Sequence, residues 1–392
     1  MKILSFLNIS NLSNLEADSG YVLQRSVLEE LYRRFHQVVL IGPYGMPNLG
    51  EEIISVEVDF SHSKYGVRFG LNWEELRTKL MTVIDGVDVL LVNQSELAVQ
   101  LSVLMYELTG KKIPCVTYYH YLAVQDCVNG KIAYDPSLDW CGVAKNIWQR
   151  QIESAEFSDV IAIGSEYGKN LFLEASGNDS SIDKKFLIIP PPVKSVKKLK
   201  RLASNNIPVI CYNHRLYDHY GSMEIFTLLE ELNQTIPFKL VVTDPTQKRS
   251  IIREKLDTSI KQIKQYLGKL SFVELRHFET QHEYYEALNK MDIGLAPFRN
   301  GALWSMATAD VMAVGKPVVA PNKGPFMEII QDADLLFDSP EHFKVILSRL
   351  LLDAEYRKEK GDAAFHLSNK LKIGNIGHKF EQALLMAIKK GA

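Results

Sequence analysis

Residues 291–330 read MDIGLAPFRNGALWSMATADVMAVGKPVVAPNKGPFMEII. The apolar runs IGLAPF and VVAP predict two short strands, and the segment from Leu303 to Val314 has helical spacing that ends at Gly315. A polar, glycine-bearing loop that leads into a helix can bind phosphate through exposed N–H groups and the helix dipole. Asp310 lies inside this helix among apolar residues, so it requires a partner, which is either a protein donor or a ligand hydroxyl.

The length and composition limit the classes of protein to which the chain can belong. A chain of 392 residues is too long for one core and predicts two domains. The hydrophobic content of 46% is ordinary for a globular protein, and a net charge of −2 argues against a wholly basic nucleic-acid coat protein. The 4 cysteines lack metal-ligand spacing and suit a reducing compartment. No apolar run approaches the membrane-spanning length of about 20 residues, so we expect a cytoplasmic protein without a transmembrane segment.

The order of elements predicts an α/β fold. The chain opens with the strand KILSFLNI, a polar loop and a helix from about Tyr21, which together form the first βα unit of a Rossmann-like domain. Later strands are apolar on both faces, as buried parallel strands are. A charged stretch bounded by prolines predicts a linker. We therefore expect an N-terminal domain over 1–193, a basic linker over 194–206, a second domain over 207–376 and a last helix over 377–392.

The segment ADVMAVGKPVVAP (residues 309–321) resembles the donor site of retaining, nucleotide-sugar-dependent glycosyltransferases with the GT-B fold, the family 4-like enzymes. Their pattern has one glutamate in the loop and a second in the helix. Ala302 stands at the first position and Asp310 at the second. The resemblance implies two Rossmann-like domains facing across a cleft, with Asp310 on the ribose hydroxyls and with Leu303 and Trp304 beside Ala302 at the donor.

The motif NHRLYDHYG (residues 213–221) leaves the first strand of the second domain and enters a helix. Arg215 could clamp a diphosphate bidentately, or it could form a surface ion pair. The resembling family has an arginine here and a lysine five residues later, before a glycine. Arg215 and Gly221 match, whereas Tyr220 replaces the lysine, and His214 or His219 could supply the missing cation.

Other donor contacts are implied by the same resemblance. Gly20 falls in the first loop, which lies under the donor diphosphate in that family. His120 falls where a histidine contacts the donor sugar near its anomeric carbon, although a lone histidine in an aromatic run is often only packed. His277 and Phe278 fall where the family binds the nucleotide base, largely through backbone groups. We assign catalytic roles to His120 and Arg215.

The sequence FSHSKYGVRFGLNW (residues 60–73) alternates basic and aromatic side chains. Such alternation suits phosphate contacts combined with stacking on bases or sugars, and the alternative is a surface loop whose aromatic rings pack inward. A second stretch, residues 118–140, is predicted to be long and irregular, as functional loops often are. The candidate acceptor-binding residues are Lys64, Tyr65, Arg68, Trp73 and, more weakly, Asp126.

The resemblance implies transfer of a sugar from a UDP- or GDP-sugar with retention of configuration and without a metal. The motif NHRLYDHYG is also similar to the His-Arg motif of tRNA-queuosine mannosyltransferases. With the basic stretches, this predicts a nucleic-acid acceptor, namely a hydroxyl of a modified nucleobase in DNA (a hydroxymethylated pyrimidine) or tRNA. The alternatives are a glycan or lipid-linked acceptor, or an inactive nucleotide- or nucleic-acid-binding relative.

Overall fold

The computed structural model describes residues 1–6, 12–50, 53–59, 70–136, 142–194, 207–243, 258–298 and 302–391. The chain forms two compact units. Unit 1 comprises Met1–Pro192 together with Ile373–Ala392, and unit 2 comprises Val193–Lys372. The predicted linker lies outside the described residues, apart from Lys194. Within the described ranges, no helix combines the length and the apolar character needed to cross a lipid bilayer.

Unit 1 is built on a parallel sheet with a separate antiparallel hairpin. The strands are β1 Lys2–Phe6, β2 Gln37–Pro43, β3 Ile53–Val58, β4 Val89–Val92, β5 Cys115–Tyr119, β6 Val124–Val128, β7 Lys131–Tyr134, β8 Val160–Ile163 and β9 Phe186–Ile188. Over the described residues the sheet runs β3-β2-β1-β4-β5-β8-β9, and β6 pairs with β7. The strands β4, β5 and β8 are buried along their whole length. This is expected of parallel strands in a sheet that has helices on both faces.

The helices of unit 1 come from both ends of the chain. They are α1 Ser19–Arg33, α2 Trp73–Leu80, α3 Ala98–Thr109, α4 Ala144–Phe157, α5 Glu166–Ser176, α6 Ser180–Asp183 and α14 Ile373–Gly391. Helix α14 is fixed to the end of α1 by Glu381, whose carboxylate accepts from Arg34 at 3.1 Å and lies 2.8 Å from Nε2 of His36. The last helix of the chain is therefore part of unit 1.

Unit 2 is a second parallel sheet with helices around it. Its strands are β10 Val209–Tyr212, β11 Lys239–Thr243, β12 Val273–Arg276, β13 Ile293–Leu295, β14 Val318–Pro321 and β15 Leu336–Phe337, in the order β12-β11-β10-β13-β14-β15 over the described residues. Its helices are α7 Ser222–Asn233, α8 Ser259–Leu267, α9 Gln281–Lys290, α10 Met306–Ala313, α11 Phe326–Ile330, α12 Pro340–Leu352 and α13 Ala354–Ser368. The core contains aromatic and aliphatic side chains from β10, β11, β13, β14 and β15, and Val273 of the edge strand β12 packs against it.

The two sheets share one topological feature. In each, the first strand of the unit lies inside the sheet, β1 between β2 and β4 and β10 between β11 and β13. The connections leave such a strand in opposite directions, so loops diverge at its carboxyl end and open a crevice where α/β proteins bind ligands. The described residues that follow β4 and β5 in unit 1, and β10 and β13 in unit 2, are therefore placed for binding.

Two predicted elements differ in the structure. The stretch around Asp126 is not irregular, because residues 124–134 form the hairpin β6-β7, with Asn129 and Gly130 at positive φ in its turn. The helix predicted from Leu303 begins only at Met306. Its N-cap is Ser305, which has an extended backbone and whose Oγ accepts from the N–H of Thr308 at 3.2 Å.

Candidate active site

Asp310 lies on α10 and finds its partners on α9. The hydroxyl of Tyr285 donates to Oδ1, and the hydroxyl of Tyr284 donates to Oδ2 at 3.3 Å. Burial raises the pKa of Asp310 to about 7, although the two hydroxyls oppose that shift by stabilising the carboxylate. A carboxylate can accept about four hydrogen bonds, so this pair leaves capacity for the two hydroxyls of a ligand diol. The hydrogen-bond donors that we expected Asp310 to require are thus supplied by the protein itself.

Asn213 connects this carboxylate to the end of β10. Its side-chain amide donates to the hydroxyl of Tyr284 at 2.7 Å and to the main-chain carbonyl of Ala307 at 2.8 Å. The ring of Phe278, after β12, contacts the ring of Tyr284 edge-on with centroids 6.0 Å apart. Three segments that the sequence singled out, 213–221, 277–278 and 302–310, therefore meet around one tyrosine.

His214 is neutral in this structure. Burial lowers its pKa to about 3, and its ring is hydrogen-bonded to the backbone of Leu295 in β13. Burial therefore favours the neutral ring, which argues against His214 as the replacement for the missing cation. His219 is the other candidate for that role, and it stacks on Tyr217 with centroids 4.9 Å apart and planes tilted by 19°.

Arg215 and Gly221 occupy the two ends of the loop after β10. Arg215 is half-buried, with its guanidinium carbon 5.9 Å from the centroid of Tyr217. Gly221 has φ +70° at the start of α7, a conformation that costs little for glycine and much more for other residues. Tyr220, at the position of the family lysine, packs its ring edge-on against His219. The arginine therefore lies beside an aromatic cluster of Tyr217, His219 and Tyr220.

The residues before α10 face the interior of unit 2. Leu303 is buried, Trp304 packs against the core, and Ala302 is half-buried. His277, after β12, lies 3.4 Å from Glu279 through its Nε2. In the part of the chain that the structure describes, three buried polar atoms of these segments have no hydrogen-bond partner: Asn213 Oδ1, His214 Nε2 and Trp304 Nε1.

In unit 1, His120 and the start of α1 come together. His120 follows β5, and its Nε2 lies 2.9 Å from Oγ of Ser19. Asp18 caps α1 by accepting from the N–H of Tyr21 at 3.0 Å. Gly20 is in the first turn of this helix, where an added Cβ would lie 3.2 Å from Oδ1 of Asp18. Gly20 and His120 are therefore joined through Ser19.

Glu96 is a buried acid that the sequence analysis missed. It is 2% exposed, lies in the 3-10 turn Ser95–Leu97 that follows β4, and accepts hydrogen bonds from the hydroxyl of Tyr121 and the amide of Gln94. Residues 95–108 read as one helix in the sequence, which hides the acid on an apparent helix surface. Its position in the loop that leaves the carboxyl end of a buried strand is the signal that could have identified it.

The predicted acceptor residues have no common site among the described residues. Lys64, Tyr65 and Arg68 lie outside them. Trp73 is the first residue of α2, and its ring packs against the core of unit 1. Asp126 is exposed on β6. Over the described ranges, no cluster of three or more His, Cys, Asp or Glu side chains is arranged to hold a metal ion.

Comparison with known families decides the class of the C-terminal unit. Residues 195–366 match the family described as Glycosyl transferases group 1. The chain carries a Glycosyl transferases group 1 domain. This range contains both the Asn213–Gly221 loop and the Asp310 network. The predicted resemblance and the predicted enzyme class, a nucleotide-sugar-dependent glycosyltransferase, are confirmed.

Solved structures extend the likeness to the whole chain. Sucrose-phosphate synthase from Thermosynechococcus elongatus superposes with a TM-score of 0.70 at 13% identity, covering 99% of this chain and 99% of that one. HepE from Anabaena in complex with UDP gives 0.69 at 14% identity, covering 98% and 100%. A glycosyltransferase from Rickettsia africae gives 0.65 at 15% identity, covering 99% and 98%. No curated protein sequence matches the chain. The predicted GT-B fold is confirmed.

Proposed function

We propose that the protein transfers a sugar from a UDP-sugar to an acceptor hydroxyl with retention of the anomeric configuration. The observation that carries the proposal is the half-buried carboxylate of Asp310, held by Tyr284 and Tyr285 inside the Glycosyl transferases group 1 domain. Two hydroxyl donors fix its orientation and leave lone pairs for a vicinal diol such as that of ribose.

The other donor contacts follow from the segments around Tyr284. Arg215 binds the diphosphate, because its fixed charge and planar donors match phosphate oxygens. His277 and Phe278 face the base, and Trp304 offers a buried N–H to the sugar or phosphate. A buried polar atom left unpaired costs about 1–3 kcal/mol, which a polar ligand at Asn213, His214 and Trp304 would recover.

The nucleotide is proposed from the similar structures. HepE from Anabaena was solved in complex with UDP-glucose, and trehalose-6-phosphate synthase was solved with UDP-2-fluoro glucose. We therefore favour a UDP-sugar, with a GDP-sugar as the alternative. The reaction requires that the donor is positioned and that the departing diphosphate is stabilised, which Arg215 and the loop before α10 supply. His120 contacts the donor sugar, and Gly20 allows close approach of the start of α1.

For the acceptor, we propose a hydroxyl of a carbohydrate. Of the aromatic side chains assigned to a nucleic-acid acceptor, Trp73 packs against the core of unit 1. A modified nucleobase of DNA or tRNA is the second candidate, and the alternation of Lys64 and Arg68 with Tyr65 in the sequence favours it. A lipid-linked glycan would present the same sugar hydroxyls.

Donor hydrolysis tests the enzyme proposal directly. Purified protein is incubated with UDP- and GDP-sugars without acceptor, and release of the nucleotide diphosphate and the shift in melting temperature are measured. We expect one UDP-sugar to be hydrolysed slowly and to raise the melting temperature, and Asp310→Ala to lose the temperature shift. A wild-type protein that neither hydrolyses nor binds any nucleotide sugar would leave the inactive-relative alternative.

The acceptor is tested by mobility shift with duplex DNA and tRNA at several salt concentrations. Binding through phosphate contacts weakens steeply with salt. We expect no salt-dependent shift and expect transfer to a mono- or oligosaccharide. A salt-dependent shift together with transfer to the nucleic acid would establish the nucleobase acceptor in place of a carbohydrate.

A further inference from the structure

The loop after β5, residues 120–123, is held from two sides. On one side the hydroxyl of Tyr121 donates to Glu96. On the other side Gln151 of α4 uses both ends of its amide, donating to the main-chain carbonyl of Tyr121 at 3.1 Å and accepting from the N–H of Ala123 at 2.9 Å. Tyr121 is thus fixed through its side chain and its main chain at once.

The side chains of Glu96 and Gln151, which hold this loop, are polar and buried. Gln151 is 0% exposed and Glu96 is 2% exposed. An ionisable side chain in the interior is costly, and well-packed apolar residues of similar size usually stabilise a fold as well or better. Stability alone therefore does not account for a carboxylate at this place. Its location does suggest a role, because Glu96 follows β4, which pairs with β5 at the edge where His120 lies.

His120 is the residue of this loop to which we assign contact with the donor sugar. It directly precedes Tyr121, and its Nε2 is 2.9 Å from Oγ of Ser19. The two ring nitrogens of a neutral histidine have different functions, one as donor and one as acceptor, so the backbone of the loop decides which nitrogen meets Ser19 and which meets a ligand. A small rotation of residue 121 would change that assignment.

We infer that Glu96 is a positioning residue that acts through Tyr121 to orient the His120 ring for sugar transfer. The inference rests on the proposed function, in which His120 contacts the donor sugar. Glu96 accepts the Tyr121 hydroxyl, Gln151 clamps the main chain on either side of residue 122, and the ring of His120 is held against Ser19. Glu96 itself touches neither donor nor acceptor.

The test compares Tyr121→Phe and Glu96→Gln with wild type in donor hydrolysis and transfer. Each variant is expected to lower kcat about tenfold and to leave the donor KM within about twofold, because the histidine is misoriented while the donor contacts of unit 2 remain. Tyr106→Phe and Glu107→Gln are matched controls on the exposed side of α3. Both controls are expected to behave as wild type.

A double-mutant cycle separates positioning from simple destabilisation. In a His120→Ala background, Tyr121→Phe is expected to have no additional effect on kcat, since its only route to the reaction is gone. Additive losses, or a Tyr121→Phe protein that is folded and fully active, would overturn the inference.

A second readout does not require turnover. Protein labelled with ¹⁵N-histidine gives ring-nitrogen resonances, and the His120 pair is assigned by its loss in His120→Ala. Tyr121→Phe and Glu96→Gln are expected to shift the His120 pair, whereas Tyr106→Phe leaves it in place. If wild type turns over no nucleotide sugar, the proposed function fails, and the resonances still decide the positioning. Unshifted His120 resonances in both variants would refute it.

Discussion

The side-chain amide of Asn213 donates a hydrogen bond of 2.8 Å to the main-chain carbonyl of Ala307. This contact ties the loop after β10 to the first turn of the helix that carries Asp310. Asn213→Ala is expected to lower the free energy of unfolding by about 1–3 kcal/mol, because two hydrogen bonds are lost in the interior. It should also weaken donor binding, measured by calorimetry.

Asn233→Ala is the control for that variant. Asn233 donates a similar bond of 2.8 Å to the carbonyl of Phe238, at the far end of α7. It should reduce stability comparably while leaving the donor dissociation constant unchanged. Equal donor affinity in the two variants would show that the Asn213 contact is structural only.

The ionisation of Asp310 predicts a pH dependence of stability. Burial raises its pKa to about 7, above the value of 3.8 for a free aspartate, so the folded state holds the proton more tightly than the unfolded state. The associated stability is present below pH of about 4 and is lost as the pH rises to about 7. Asp310→Asn should therefore gain stability relative to wild type between those pH values, by up to about 4 kcal/mol. Denaturation at pH 5, 6, 7 and 8 measures this; a constant difference would contradict it.

The affinity for the donor should increase with pH, whereas the stability associated with Asp310 decreases. Only the ionised carboxylate accepts from both hydroxyls of a diol while it accepts from the two tyrosines. The dissociation constant of the donor is expected to fall as the pH rises from 6 to 8, and Tyr285→Phe is expected to weaken binding several-fold at each pH. A wild-type affinity that is flat over this range would argue that Asp310 does not bind the diol.

Arg215→Ala is expected to lower kcat/KM about 100-fold or more, because the departing diphosphate loses a bidentate, charged donor. Arg215→Lys should recover only part of this loss, since an ammonium group cannot reproduce the planar fork. Arg276→Ala removes an exposed arginine that pairs with Glu274 and serves as the control. Comparable turnover in Arg215→Ala and Arg276→Ala would remove Arg215 from the site.

Gly294 allows α10 to lie close against the sheet. A Cβ at this position would be 2.7 Å from Cγ1 of Val311 and 3.1 Å from Cγ2 of Val318. Gly294→Ala should therefore displace α10, lowering stability by about 1–3 kcal/mol and weakening donor binding through the neighbouring Asp310. Gly268→Ala, where the nearest atom is 3.4 Å away, should be nearly silent in both thermal melts and donor titrations.

Part of this site was accessible from the sequence and part was not. The loop–helix pattern around Asp310 and the motif 213–221, with the family resemblance that they carry, predicted two segments that the structure brings together around Tyr284. The partners of Asp310 could not be predicted from the sequence. They lie on α9, which is separated from α10 by β13 along the chain, and the contact forms only when the two helices pack together. The neutrality of His214 likewise follows from burial between β10 and β13, which no local pattern reveals.

The hairpin β6-β7 was also not predicted from the sequence, but for a different reason. Asn129 and Gly130 form a turn signal between alternating residues, and both adopt positive φ as such turns require. The information was present in the sequence, but the polar strands on either side resembled a loop. Glu96 shows the reverse case, because a carboxylate in the first turn of an apparent helix normally faces solvent.

The pairing of Val193 with Lys372, with the N–H of Val193 donating to the carbonyl of Leu371 at 2.9 Å, brings the first and last residues of unit 2 side by side. Unit 2 is consequently an insertion whose ends meet, and it can be excised as one contiguous fragment. The excised fragment would carry the proposed donor-binding residues of unit 2 without α14, so nucleotide binding can be measured on it free of any contribution from His120.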